Sequence, residues 1–161
     1  LQSFRRIGDR AGLLASSGAL RLRADGIELS QGFRRGFPYT EWFLGAPSDL
    51  RGSDRLEVAA SEFECQGLEL DWTCICWGGD FVYDVTAARW RTRALKGALW
   101  EQVRKTDNRR YIANKYRVLL TRARHGMIIW VPEGDPNDVT REPDLFDATA
   151  RFLRSCGVPE V

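Results

Sequence analysis

A helix-like pattern passes into a strand-like one within Asn114-Lys-Tyr-Arg-Val-Leu-Leu-Thr-Arg-Ala-Arg-His-Gly-Met-Ile-Ile-Trp-Val131. Apolar residues recur there every three or four positions, which predicts one face of an amphipathic helix made of Ile112, Tyr116, Leu119, Leu120 and Ala123. Gly126 suits the left-handed turn that ends many helices, and it would place Arg124 and His125 in the last helical turn. The apolar run from Met127 to Val131 then predicts a strand buried on both faces.

Two arginines stand near the predicted junction between this helix and this strand. Arg122 and Arg124 flank the apolar stripe on opposite sides. A guanidinium held at such a junction is suited to bidentate contact with a phosphate. The alternative is that both are ordinary solvated charges at a helix end, since arginines are mostly exposed.

Length and composition indicate one ordinary domain. The chain has 161 residues, of which 43% are hydrophobic and 29% charged, as in soluble globular proteins. A net charge of +2 does not indicate nucleic acid by itself. Arginine is much more frequent than lysine, however, with 21 Arg and three Lys. Many of these basic residues lie between Arg89 and Arg124. The first residue is Leu1 rather than Met, so we expect a fragment or a processed product.

The lengths of the apolar runs and the spacing of the cysteines bear on the cellular compartment and on metal binding. No apolar run approaches the roughly 20 residues of a membrane span, so we expect a cytoplasmic protein without a membrane partner. The sequence has one histidine, His125, and four cysteines that form no C-x-x-C pair. The cysteines are Cys65, Cys74, Cys76 and Cys156. Buried free thiols are therefore expected, and a structural zinc site is the less favoured alternative.

Strand-like and helix-like segments alternate along the chain. Strands are predicted at Ala11–Ala15, Leu56–Ala60 and Leu70–Trp77, and helices from about Asp107 and over Glu142–Cys156. This order predicts an α/β fold, a mostly parallel sheet with helices on both faces. Irregular insertions are expected at about 25–55 and 80–105, the first packing Trp42 and Phe43 against the body.

A second informative stretch is Leu56-Glu-Val-Ala-Ala-Ser-Glu-Phe-Glu-Cys-Gln-Gly-Leu-Glu-Leu-Asp71. A predicted strand leads into a tight turn at Gln66 and Gly67, and Glu69 precedes the next strand. Gly67 would let the backbone approach a ligand closely, and Glu69 could accept a hydroxyl hydrogen bond. Taken alone, the pattern is equally typical of a plain turn.

Both stretches resemble motifs of superfamily 1 helicases. Tyr116-Arg-Val-Leu-Leu-Thr-Arg-Ala-Arg124 resembles the sixth motif, and the run from Ser61 to Asp71 resembles the fifth. The resemblance implies that Arg122 is the arginine finger for the terminal phosphate of ATP held by a preceding domain. It also implies a set of nucleotide-binding residues, namely Gln66, Gly67, Glu69 and Arg124. Ser61 would contact the nucleic-acid backbone, and Phe63, where the family often has His, could stack on a base.

One branch of these helicases is the most similar. The runs Glu62–Asp71 and Asn114–Arg124, with Val131-Pro-Glu-Gly-Asp135, resemble the bacterial Schlafen group 3-like DNA/RNA helicase family. No Lys lies in a Gly-x-x-x-x-Gly-Lys-[Ser/Thr] loop, which cradles phosphates. The resemblance therefore implies that residues 1–161 are the second, C-terminal RecA-like domain. Its implied partners are an N-terminal RecA-like domain, ATP with Mg²⁺ held mainly by that domain, and single-stranded DNA or RNA.

Three functions remain open at this point. The favoured one is the C-terminal motor domain of an ATP-dependent helicase or translocase, which would not hydrolyse ATP as an isolated chain. The alternative is a non-enzymatic nucleic-acid or protein-binding module. A nuclease would need its carboxylates, Glu62, Glu64, Glu69 and Asp71, to share a Mg²⁺ ion. The mixture of Trp90, Arg91 and Arg93 predicts a nucleic-acid contact in the 80–105 segment, if any part of the chain makes one, although a core position is the favoured alternative for the tryptophan.

Overall fold

A computed structural model describes residues 9–29, 38–46 and 49–161 of the chain. These residues form a four-stranded sheet and a three-stranded sheet with helices packed against them. The strands are β1 (Ala11–Ala15), β2 (Ala59–Ala60), β3 (Leu70–Cys76), β4 (Phe81–Asp84), β5 (Arg89–Lys96), β6 (Leu99–Gln102) and β7 (Ala123–Trp130). The α-helices are α1 (Tyr39–Leu44), α2 (Thr106–Leu119) and α3 (Pro143–Ser155), and short 3₁₀ helices cover Leu20–Asp25 and Ser53–Arg55.

The larger sheet is parallel throughout, in the order β2-β1-β3-β7. Leu13 of β1 lies between Ala59 of β2 and Cys74 of β3. The predicted parallel α/β arrangement is therefore confirmed. The second strand is shorter than predicted because Leu56 adopts a left-handed backbone (φ 59°) at the end of a 3₁₀ helix, which delays the strand to Ala59.

The two faces of the parallel sheet belong to two core clusters. One cluster joins Leu14 and Ile75 of the sheet to α2, and Trp42 and Phe43 of α1 pack into it as the sequence predicted. The next residues along the strands, among them Ala15, belong to a second cluster, because successive strand residues point to opposite faces. Within the described residues, that second face is packed by the 3₁₀ helix Leu20–Asp25 through Leu22 rather than by an α-helix, unlike the predicted arrangement.

Helix α2 ends earlier than predicted. It stops at Leu119, so Arg124, His125 and Gly126 lie inside β7 rather than in a helix and its cap. The glycine is needed for a different reason, since a Cβ at Gly126 would lie 2.5 Å from the ring of Trp72 on the neighbouring strand. Gly126, which the sequence suggested as a helix stop, is therefore the point where β7 closely approaches the indole of Trp72.

The segment from Phe81 to Gln102 is regular rather than an irregular insertion. It forms an antiparallel meander in the order β4-β5-β6. Helix α3 packs on β4, where the backbone N–H of Tyr83 donates to the hydroxyl of Thr149 (2.9 Å) and the rings of Tyr83 and Phe152 are 4.2 Å apart. No helix in the described part of the chain is long and apolar enough to cross a membrane.

Candidate functional site

The two helicase-like motifs meet at the amino edge of the parallel sheet. Gly67 and Glu69 precede β3, and Arg122 immediately precedes β7, its hydrogen-bonded neighbour. Ser61 instead follows the end of β2, at the carboxyl edge. Because parallel strands of seven or eight residues rise about 3.3 Å per residue, the two edges lie roughly 20 Å apart. The residues predicted to bind nucleotide are thus separated from Ser61 and Phe63 by the length of the strands.

Arg122 is half-buried, and neutral oxygens hold its guanidinium. Nε donates to the carbonyl of Val118 (3.0 Å), Nη1 to the carbonyl of Leu68 (3.1 Å) and Nη2 to the hydroxyl of Thr121 (2.9 Å). No ion pair with a carboxylate of the described chain neutralises it. A guanidinium has five N–H donors, so two remain for a ligand. The side chain is therefore fixed in place with its positive charge uncompensated.

Arg124 differs from Arg122 because it has an acidic partner. Its Nε lies 3.0 Å from a carboxylate oxygen of Glu69, and both side chains are more than half exposed. The structure thus joins two of the predicted nucleotide-binding residues in one surface ion pair. Gln66 and Gly67 form the exposed turn beside it, where Gly67 has φ 78° and a Cβ would meet no described atom within 4 Å. Glycine is favoured there by its backbone angle, not by crowding.

Ser61 begins a tight turn at the opposite edge. Its backbone N–H donates to the carboxylate of Glu64 (2.6 Å), which is one half of a helix capping box, and its carbonyl accepts from the backbone N–H of Glu64 (3.0 Å). This turn presents Phe63, which is 60% exposed. The ring of Tyr111 from α2 lies 6.4 Å from that of Phe63 and is also exposed. Tyr111 was not predicted, although its exposure could have been inferred from its place opposite the apolar stripe of α2.

A buried polar network, also not predicted, fills the carboxyl edge. Asp80 is 1% exposed and accepts hydrogen bonds from the hydroxyls of Ser16 (2.5 Å) and Tyr116 (2.6 Å). Burial raises the pKa of Asp80, against the two hydrogen bonds, which lower it. Beside it, Lys115 pairs with Glu62 (3.2 Å). The sequence signal was the small-residue turn after β1, but nothing in it pointed to an aspartate 64 residues away.

Trp90, Arg91 and Arg93 occupy three different environments on β5. Trp90 is half-buried and stacks on Phe81, with ring centroids 4.5 Å apart. Arg91 faces Asp84 (3.5 Å) and is partly exposed. The Arg93 side chain is 4% exposed, pairs with Glu142 and donates to the carbonyl of Gly79 (2.8 Å). A nucleic-acid contact by Arg93 would have to break this ion pair and bring a buried guanidinium to the surface, whereas Trp90 and Arg91 have accessible surface. All three contacts stay predictions.

The carboxylates of the nuclease alternative do not converge. Glu62 pairs with Lys115, Glu64 accepts from the Ser61 backbone, Glu69 pairs with Arg124, and Asp71 accepts from the backbone N–H of Arg10. Among the described residues, no group of three His, Cys, Asp or Glu side chains could hold a metal ion. The four cysteines are all free thiols, and burial raises the pKa of Cys65 to about 11. The geometry gives the nuclease alternative no support.

Comparison with known proteins gives one match. A family model described as Schlafen group 3, DNA/RNA helicase domain matches residues 1–133, which contain both motifs and the whole parallel sheet. No curated protein and no solved structure gives a significant match. The match is consistent with the resemblance seen in the two motifs.

Proposed function

Since the chain belongs to the Schlafen group 3 DNA/RNA helicase domain family, we propose that it is the C-terminal, RecA-like motor domain of an ATP-dependent helicase or translocase. Its proposed partners are a preceding RecA-like domain and a single strand of DNA or RNA. The parallel sheet with α2 against it is compatible with such a domain. What this chain contributes is one wall of a nucleotide cleft rather than a whole ATP site.

The observation that carries the proposal is the state of Arg122. Its guanidinium is fixed by three hydrogen bonds to neutral oxygens and keeps two N–H donors. An unneutralised, prepositioned guanidinium fits the terminal phosphate of ATP, since charge-assisted bonds from arginine to phosphate are strong and can be bidentate. The adjoining turn at Gly67 and Glu69 fits the rest of a nucleotide, because it is exposed and unobstructed.

Each residue of the amino edge then has a distinct role. Arg122 stabilises the negative charge that phosphoryl oxygens gain during transfer, an effect worth about 10³–10⁵ in rate for arginine fingers. Gly67 allows close backbone approach, with Gln66 beside it, and Glu69 accepts a ribose hydroxyl. Arg124 orients the Glu69 carboxylate through their ion pair. Hydrolysis of ATP, held with Mg²⁺ mainly by the preceding domain, supplies the free energy for movement.

The carboxyl edge carries the proposed contacts with nucleic acid. Phe63 is exposed at the tip of the Ser61 turn and offers a ring on which an unpaired base can stack. The turn between Ser61 and Glu69 connects the two edges of the sheet. A bound nucleic-acid strand that displaces this turn could therefore alter the position of Glu69 in the nucleotide cleft.

An assay of ATP turnover distinguishes the proposed motor domain from the alternative function, a non-enzymatic binding module. The full-length protein would be assayed for ATP turnover with and without single-stranded oligonucleotide. We expect turnover that rises when the strand is added and is absent from the 161-residue chain alone. Strand binding by the full-length protein without any turnover would favour the binding module. Turnover by the isolated chain would contradict the half-site.

A further inference from the structure

A cavity separate from the amino-edge site lies where α2 faces the antiparallel sheet. Its volume is about 570 Å³, and its walls come from α2, β4, β5, α3 and the residue after β3, Trp77. This size falls within the range of roughly 300–1,000 Å³ typical of ligand pockets. None of the residues at the amino-edge site lines it.

The cavity is positively charged on one side. Arg109, Arg110 and Arg117 project from α2 into its lining, and no acidic residue lines it. Within the described chain their polar contacts are with neutral groups only, as when Arg109 donates to Thr106 (3.4 Å) and Arg117 to Asn114 (3.0 Å). Arg110 and Arg117 lie two turns apart on one face of α2, and Arg109 adjoins them, so an anion bound among them would gain charge-assisted hydrogen bonds.

The rest of the lining is largely apolar and aromatic. Trp90 and Phe81 stack with an interplanar angle of 14°, and the ring of Trp77 lies 5.6 Å from that of Trp90. Trp90 is only half-buried by the protein. An aromatic surface left open beside three arginines suits a ligand that is planar and apolar at one end and anionic at the other.

Thr92 lines the same cavity, but its hydroxyl oxygen is shielded from it. Its side chain is 94% buried, and the oxygen has no hydrogen-bond partner among the described residues. Because that oxygen has almost no accessible surface, Thr92 offers a ligand no polar contact, and the wall of the cavity on this side is apolar.

We propose that this cavity binds one unstacked nucleotide of a single nucleic-acid strand. The base packs against Trp90, and the phosphates on either side of it pair with Arg109, Arg110 and Arg117. The choice of a nucleic-acid strand over an anionic peptide rests on the proposed function, and the aromatic floor favours it because bases present π-faces for stacking. The nucleic-acid contact that the sequence predicted for Trp90 would thus be made inside this cavity.

The test uses fluorescence anisotropy of the 161-residue chain with two labelled probes, a 20-nucleotide oligo-dT and an abasic strand of equal length. We expect the oligo-dT to bind several-fold more tightly. Arg110→Gln should weaken the binding of both probes. It should also reduce the slope of log K against log[salt] by about 0.7, the value for one lost phosphate contact on a single strand. Arg151→Gln is the matched control, since Arg151 is an exposed arginine of α3 that does not line the cavity, and should leave both affinities unchanged.

Trp90→Leu separates base stacking from phosphate contact. Leucine keeps an apolar side chain but offers no π-face to a base, and the melting temperature of the variant shows that it is folded. Binding of oligo-dT should fall about threefold or more, while binding of the abasic strand is unchanged. Equal affinity for the two probes, equal effects of Arg110→Gln and Arg151→Gln, or no strand binding at all would each overturn the pocket. Failure of the pocket is read by strand affinity of the 161-residue chain and failure of the arginine finger by ATP turnover of the full-length protein, so the two failures are distinguishable.

Discussion

The carbonyl oxygen of Leu68 accepts a 3.1 Å hydrogen bond from the guanidinium of Arg122, a residue 54 positions later in the chain. The backbone reinforces this contact, because the N–H of Leu70 donates to the carbonyl of Arg122 (2.8 Å). The side chain of one motif is therefore held by the backbone of the other. A change in the turn that contains Gly67 would move the guanidinium, which links the two halves of the amino-edge site mechanically.

Tyr116→Phe tests the buried network at the carboxyl edge. The phenol donates to Asp80 (2.6 Å) and accepts from the backbone N–H of Gly78 (3.2 Å), and both partners are buried. Removing the oxygen should cost about 1–3 kcal/mol of unfolding free energy, since it leaves buried groups unpaired. Tyr111→Phe is the control on the same helix and should cost little because Tyr111 is exposed. Urea denaturation of both variants measures the difference, and equal stabilities would contradict the network.

Gly126→Ala tests why a glycine stands inside β7. The new methyl would lie 2.5 Å from the Trp72 ring, so the indole must move or the strands must separate. We expect a loss of about 1–3 kcal/mol, as for overpacking elsewhere. In a Trp72→Leu background the same substitution should cost much less, because the two residues are in contact. An undiminished cost in that background would mean that the backbone, not the indole, requires glycine.

Arg93→Met tests whether this arginine holds the fold together. It would leave the buried carbonyl of Gly79 without a donor, whereas the Glu142 carboxylate is 44% exposed and can be solvated, so we expect a loss of about 1–3 kcal/mol. Arg91→Met should cost less than about 1 kcal/mol, because its ion pair with Asp84 is longer and partly exposed. Thermal unfolding compares the two. If Arg93→Met retains full stability but weakens strand binding, the nucleic-acid role predicted from the sequence is the better account.

Phe63→Ala tests the proposed strand contact at the carboxyl edge. Loss of a stacking ring should weaken single-strand affinity by about 1–3 kcal/mol, whereas the unfolding free energy should hardly change because the ring is 60% exposed. Leu99→Ala is a matched control, since Leu99 is 61% exposed on β6. Anisotropy titrations at one salt concentration measure both. Identical affinities for the two variants would remove Phe63 from the interface.

The sequence predicted the parallel sheet because its apolar runs and their order are local features, and β1, β3 and α3 lie where the periodicity placed them. It failed at Gly126, where a helix stop and a tight strand contact look alike until the neighbouring Trp72 is known. It also failed at Arg93, since burial of a guanidinium depends on Glu142, a partner 49 residues away. The motifs named Arg122 and Glu69, but the pairing of Glu69 with Arg124 is a tertiary contact that no local pattern encodes.

The ATP turnover of full-length Arg122→Ala, measured at saturating ATP and saturating single strand, tests whether Arg122 is an arginine finger. Because the side chain makes three hydrogen bonds to neutral oxygens, we expect a stability loss of about 1–2 kcal/mol, which leaves the protein folded. The turnover number should fall by about 10³-fold or more, and Arg122→Lys should recover little of it, since an ammonium lacks the planar fork. Arg124→Ala should have a smaller effect, since its charge is already paired with Glu69. If folded Arg122→Ala retains turnover within a few-fold of the unmodified protein, Arg122 is a structural residue and the arginine-finger proposal is wrong.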